Sequence, residues 1–107
     1  MPKVENASSE PLKLMQWGDF KLAMLNDVPY QKMAAATADQ RAVSRIENFF
    51  TAEIDNWEVA ALLWSQMLAG CPEAARPTAV EAGQWSAIAT QTNMPIKFTD
   101  TGQLVPL

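Results

Sequence analysis

The chain has no histidine among its 107 residues, and this absence narrows the catalytic chemistry open to it. Histidine is the commonest general base near neutral pH and the commonest metal ligand in proteins. Without it, no Ser–His or Cys–His nucleophile can be assembled. The four glycines are isolated along the chain, so no glycine-rich phosphate loop is present. We therefore expect a protein that is not an enzyme, with no catalytic residue, no cofactor and no metal.

Cysteine occurs once, at Cys71, so no disulfide can form within the chain. It follows Gly70, where we expect a helix to end, and we predict a buried small hydrophobic side chain rather than a reactive thiol. Long apolar runs are also missing. The longest, within residues 59–64, is far too short to cross a bilayer, and residues 1–10 lack the apolar core of a signal peptide. We expect no membrane partner, and a cytoplasmic location or one inside an assembled particle such as a virion.

Positive charge is scarce, and the formal net charge is −4. Residues 1–50 carry six basic and six acidic residues, whereas residues 51–107 carry two basic and six acidic ones. Because nucleic-acid affinity depends mainly on Lys and Arg, we expect no direct binding to DNA or RNA. Between residues 47 and 73 there are acidic residues but no Lys or Arg. The acidic residues of this candidate acidic face are Glu47, Glu53, Asp55, Glu58 and Glu73.

Hydrophobic residues make up 49% of the chain and charged residues 19%, which is typical of a folded globular protein. We expect an extended tail over residues 1–11 and a single domain over residues 12–107. Three capping signals, each followed by apolar residues at helical spacing, predict main helices at about 38–52, 56–69 and 79–92. These signals are Thr37 with Gln40, Asp55 with Glu58, and Thr78 with Glu81.

The helix at 56–69 is apolar nearly all round, which predicts a central position in the fold. Gly70 is expected to end it in the left-handed conformation, with Pro72 as a further stop. Two short helices are predicted before it, one from Phe20 to about residue 25 after an Asp19 cap, and one from Pro29 to about residue 36.

A β-hairpin is predicted at the C-terminal side, with strands at about 96–98 and 103–105 around the turn at residues 100–102. The alternation at residues 12–14, broken by Gly18, makes a strand near 12–16 a candidate third strand. The predicted fold class is thus mainly α (α+β), a small helical core with a C-terminal hairpin.

Four residues are candidate contacts for a protein partner. Trp17 and Tyr30 lie near breaks in the predicted helices, where exposed aromatic side chains would serve as anchors. Glu53 and Glu58 would offer negative charge, although acids before and in the first turn of a helix also stabilise that helix.

The main functional hypothesis is a non-enzymatic interaction protein or structural subunit of a larger assembly, such as a phage virion or tail. It would bind other protein subunits as a homo-oligomer or within a larger complex. The alternative is an acidic soluble inhibitor or adaptor that binds a basic partner, as nucleic-acid mimics do. A third hypothesis is an enzyme that uses carboxylates and a borrowed metal ion.

Overall fold

The computed structural model describes residues 14–107, so the tail expected at residues 1–11 lies outside the described part of the chain. Within it the fold is mainly helical with a C-terminal hairpin, which confirms the predicted α+β class. The elements are α1 (Trp17–Leu25), α2 (Val28–Ala36), α3 (Gln40–Thr51), α4 (Trp57–Ala69), a 3₁₀ turn (Glu73–Ala75), α5 (Ala79–Gln91), β1 (Ile96–Phe98) and β2 (Leu104–Pro106).

The strand predicted near residues 12–16 is wrong over residues 14–16, which form neither helix nor strand; residues 12 and 13 lie outside the described range. The Gln16 backbone N–H donates to the Thr92 carbonyl at 2.9 Å, so this segment lies against the end of α5. Helix α1 then starts at Trp17, three residues before the predicted Phe20, and includes Gly18 and Asp19, so the predicted Asp19 cap is wrong. Burial of Trp17 and Phe20, one turn apart, outweighs the local alternation.

The second short helix is confirmed almost at its predicted start. Asp27 caps α2 by accepting from the Tyr30 backbone N–H at 3.0 Å, and Pro29 lies in the first turn, where its missing N–H costs nothing.

The Thr37 cap predicted for the next helix is wrong, because α3 is capped by Asp39, which accepts from the Ala42 backbone N–H at 3.0 Å. The buried Thr37 hydroxyl instead donates to the Met67 carbonyl near the end of α4, at 2.7 Å. The Thr37 side chain therefore forms a tertiary hydrogen bond to α4 instead of the helix cap that the local pattern predicted.

Helix α4 occupies the predicted span, but both of its predicted end signals are wrong. Asn56 rather than Asp55 is the N-cap and accepts from the Val59 backbone N–H at 3.3 Å. Gly70 has a φ of −83°, in the right-handed region, and not the left-handed conformation. The glycine is needed for space instead, since a Cβ there would lie 2.8 Å from the Thr37 hydroxyl oxygen.

Helix α5 begins at the predicted capping box, in which Thr78 and Glu81 each accept from the other's backbone N–H. It packs on β1, while α4 packs on β2. The two strands are antiparallel, with Lys97 opposite Val105. Strand β2 starts one residue later than predicted, and the turn before it contains Gly102 at a φ of +88°, a conformation that favours glycine.

Two aromatic clusters form the centre of the core. The first contains Trp17, Phe20, Phe50 and Trp57, and the second contains Tyr30, Trp64, Trp85 and Phe98. Helix α4 contributes a tryptophan to each cluster and thereby connects them. Its apolar surface is not all buried, however, since Leu62 is 58% exposed.

Candidate functional site

The two aromatic residues expected to be exposed anchors are both buried, so that expectation of exposure is wrong. Trp17 is 9% exposed and stacks on Trp57, with ring centroids 5.4 Å apart and the planes 9° from parallel. Tyr30 is 1% exposed and stacks on Trp64 with centroids 5.8 Å apart. In each case the partner ring comes from α4, and stacked pairs of this kind stabilise the core.

The acidic stretch between residues 47 and 73 does not form one continuous face. Glu47 is half-buried and accepts the Tyr30 hydroxyl at 2.8 Å. Burial, and then the Glu47 carboxylate, raise the pKa of the Tyr30 hydroxyl well above its ordinary value. Glu73 lies beyond the far end of α4, roughly 20 Å from its start at 1.5 Å per residue.

The remaining acids, Glu53, Asp55 and Glu58, are all exposed in the α3–α4 loop and the first turn of α4. Lys21 pairs with Glu53 at 3.3 Å, the one salt bridge within residues 14–107. The Glu53 backbone N–H donates to the Phe50 carbonyl at 3.2 Å, which holds the loop against the end of α3. The two predicted site acids thus lie at the same end of α4.

Large aliphatic side chains are exposed at this same end of α4. Ile54 is 40% exposed, Val59 38% and Leu62 58%. Glu58, Val59 and Leu62 lie within about one helical turn and share the outward face. We call the residues of this region the acidic–aliphatic surface; they are Glu53, Ile54, Asp55, Glu58, Val59 and Leu62.

Sequence reasoning found the acids of this surface but missed its aliphatic part, because the helix at 56–69 was treated as apolar nearly all round and central. Helical spacing separates the two sets of side chains once the buried face of α4 is known. Ala60, Leu63 and Trp64 define the buried face of α4, and Leu62 projects about opposite to them at 100° per residue.

Cys71 is buried, as predicted, with its Sγ 3.8 Å from the Met33 carbonyl oxygen. Burial raises the pKa of the thiol, although the positive charges of Arg76 and Lys32 act in the opposite direction. A raised pKa lowers the thiolate fraction and with it the reactivity of the side chain.

Within residues 14–107, no group of three Asp, Glu or Cys side chains is placed to hold a metal ion. No helix in that part of the chain is long and apolar enough to cross a membrane. Comparisons with protein-family models, curated proteins and solved structures give no match to this chain.

Proposed function

We propose that the protein is a non-enzymatic interaction subunit that binds another protein through the acidic–aliphatic surface. The observation that carries this proposal is the exposure of Leu62, on the outward face of α4, together with Ile54 and Val59. Fully burying a leucine side chain contributes about 1.5–3 kcal/mol. Covering the exposed part of Leu62 alone would thus contribute roughly 1–2 kcal/mol to binding.

The chemistry of this surface defines the partner that would fit it. An apolar pocket would receive Leu62 and Val59, and Lys or Arg side chains around that pocket would face Asp55 and Glu58. Charges at the rim of an interface mainly set orientation and association rate, whereas buried apolar anchors carry most of the affinity. A surface with both features supports a specific protein contact.

The setting we propose is a structural subunit of a larger assembly, either a homo-oligomer or a complex with other subunits. A phage virion or tail is one particle in which such a subunit would serve. The second candidate function is an acidic inhibitor or adaptor that binds a basic partner. It is favoured by the three carboxylates exposed together at one end of α4.

Affinity purification of the tagged protein from its native source tests the main proposal. Leu62→Asp places a charge in the proposed contact, whereas Leu22→Asp places the same charge at a leucine of α1 that is 66% exposed. We expect the wild type and Leu22→Asp to recover the same partner, and Leu62→Asp to recover roughly tenfold less. Equal recovery by both variants, or a strictly monomeric wild type that captures nothing, contradicts the proposal.

Charge reversal separates the two candidate functions. Glu53→Lys and Glu58→Lys, made singly and together, change the charge of the surface. Glu73→Lys, beyond the other end of α4, is the matched control for each single reversal. If the acids dominate, the double variant loses affinity and the wild-type complex weakens steeply with salt. If double reversal leaves affinity unchanged while Leu62→Asp abolishes binding, the aliphatic contact dominates and the acidic-adaptor alternative is rejected.

A further inference from the structure

A cleft near the far end of α4 has a chemistry unlike that of the acidic–aliphatic surface. It is an open cleft of about 250 Å³ between the last turns of α4, the loop before α5 and the hairpin turn. Its lining residues are Ser65, Leu68, Ala69, Arg76, Thr101 and Gln103. We propose that this cleft binds a carboxylate group, with Arg76 as the principal contact.

The Arg76 guanidinium is held in place by its Nε, which donates to the Cys71 carbonyl at 3.1 Å. A guanidinium has five N–H donors in a rigid plane, so the two Nη groups remain to be satisfied. Within residues 14–107 they have neither a hydrogen-bond acceptor nor a salt bridge. Within the described residues, the guanidinium is therefore positioned by the fold while its two Nη groups have no anionic partner.

Three of the last four carbonyls of α4 have partners other than the Nη groups of Arg76. Its Gln66 and Leu68 carbonyls accept from the backbone N–H groups of Gly70 and Cys71, at 3.2 and 3.0 Å. The Met67 carbonyl accepts the Thr37 hydroxyl. Because the chain itself supplies donors to these three carbonyls, capping them does not use the Nη groups of Arg76.

The walls of the cleft favour an anion with a single charge. Ser65 and Thr101 bring hydroxyl groups, of which that of Thr101 also lies 3.0 Å from the Thr99 hydroxyl. Among residues 14–107, no acidic side chain lines this cleft. Glu73 and Asp100 lie in a neighbouring cleft that shares Arg76 and Thr101. Their negative charges oppose a dianion such as phosphate more strongly than a carboxylate. Two parallel N–H···O bonds also match the planar geometry of a carboxylate.

Nuclear magnetic resonance titration of the ¹⁵N-labelled full chain tests this site with two probes. Propionate represents a small organic acid, and the capped peptide acetyl-Gly-Glu-Gly-amide represents an acidic side chain of a protein; each carries a single carboxylate. Trp64 supplies a reporter, because its indole N–H donates to the Gly102 carbonyl beside the cleft. We expect saturable shifts at the Ser65 and Thr101 amides and at the Trp64 indole.

Arg76→Gln should weaken binding about fivefold, the upper range for an exposed ion pair. The affinity of Arg76→Lys should lie between those of this variant and the wild type, because lysine keeps the charge but lacks the planar guanidinium with its paired N–H donors. Arg41→Gln, which removes an exposed arginine from α3, is the matched control and should bind as the wild type does. Ser65→Ala leaves the bond from Arg76 to Cys71 intact and should weaken binding about twofold.

The probe that binds more tightly identifies the source of the carboxylate, and tighter binding of either one supports the site. The proposal is wrong if neither probe gives saturable shifts, or if the shifts spread equally over the basic residues of the chain. It is also wrong if Arg76→Gln binds no more weakly than Arg41→Gln. Should Arg76→Gln fail to fold, wild-type affinity in both Arg76→Lys and Ser65→Ala would overturn the proposal as well.

Discussion

Trp57 and Trp64 lie two turns apart on the same face of α4, but their indole N–H groups have different environments. The Trp64 Nε1 donates to the buried Gly102 carbonyl at 2.7 Å. The Trp57 Nε1 is buried and has no hydrogen-bond partner within residues 14–107. A buried donor or acceptor without a partner costs more free energy than a typical hydrogen bond contributes to stability.

This contrast gives a prediction from two matched substitutions. Trp57→Phe and Trp64→Phe each remove similar ring area from the core, but only Trp64→Phe leaves a buried carbonyl without its donor. We expect Trp64→Phe to lower the free energy of unfolding by about 1–3 kcal/mol more than Trp57→Phe does. Urea denaturation of both variants measures the difference. Equal losses would mean that the hydrogen bond to Gly102 contributes nothing.

Tyr30 should make stability depend on pH in the alkaline range. In the unfolded chain its hydroxyl titrates near pH 10, and in the folded protein its pKa is raised. Above about pH 10 the folded state therefore holds more protons than the unfolded state, so the free energy of unfolding falls as pH rises. Below about pH 10 the hydroxyl is protonated in both states, so this contribution to the free energy of unfolding is fully present there and is lost only at higher pH.

The measurement compares wild type and Tyr30→Phe in urea at several pH values on both sides of pH 10. We expect the wild type to lose up to about 1.4 kcal/mol more per pH unit than the variant above that point. Because the chain has a single tyrosine, phenolate absorbance reports Tyr30 directly. Titration of the folded protein at an ordinary tyrosine pKa would contradict the account.

At the scale of single residues, the sequence could not reveal which aromatic side chains are exposed. Trp17 and Tyr30 lie in short helices whose local pattern is weak, and their burial depends on Trp57 and Trp64, which lie far along the chain. The spacing of residues within a helix does not predict a stacking partner that lies far along the chain. Cys71 was predictable because a lone thiol beside a helix end is ordinarily buried.

At the scale of the elements, two glycines should respond in opposite directions to the same substitution. A Cβ at Gly70 would lie 2.8 Å from the Thr37 Oγ1 and 3.0 Å from the Asp39 backbone nitrogen. A Cβ at Gly83, inside α5, would have no neighbour within 4 Å. At Gly70 the close contacts would lower the stability of the folded protein. At Gly83 the added methyl group would raise stability, because it reduces the backbone entropy of the unfolded chain.

We therefore expect Gly70→Ala to destabilise the protein by about 1–3 kcal/mol and Gly83→Ala to stabilise it by about 0.5–1 kcal/mol. Thermal unfolding followed by circular dichroism compares both with the wild type. A neutral Gly70→Ala would show that the corner between α2 and α3 can move away from α4, which the hydrogen bond from Thr37 to Met67 should prevent.

All five α-helices within residues 14–107 were predictable from sequence, but the 3₁₀ turn at Glu73–Ala75 was not. Helix caps were predictable only where no distant element competes. The Thr78 box is exposed and local, and it forms as the pattern predicts. Thr37 faces α4 instead, and its hydroxyl bonds across to Met67. Asp55 is replaced as the cap by its neighbour Asn56, a shift of one residue that spacing alone does not resolve.

At the scale of the whole molecule, the two ends of α4 present different chemistry. The acidic–aliphatic surface lies at its start, and the cleft around Arg76 lies near its end. The sequence predicted the acids Glu53 and Glu58 but not the aliphatic residues beside them. The reason is physical: which side of an apolar helix faces solvent depends on how many elements pack around it, and α4 is covered on one side only.

Amide hydrogen exchange, measured by mass spectrometry, tests the central claim most directly. The exchange of the protein is compared with and without the bound partner that the wild type recovers. We expect slowed exchange in peptides that cover residues 53–62, because covering Ile54, Val59 and Leu62 excludes water and suppresses local opening there. Peptides of α1 around Leu22 should be unchanged. Slowed exchange elsewhere, with residues 53–62 exchanging as in the free protein, would contradict the proposed interaction surface.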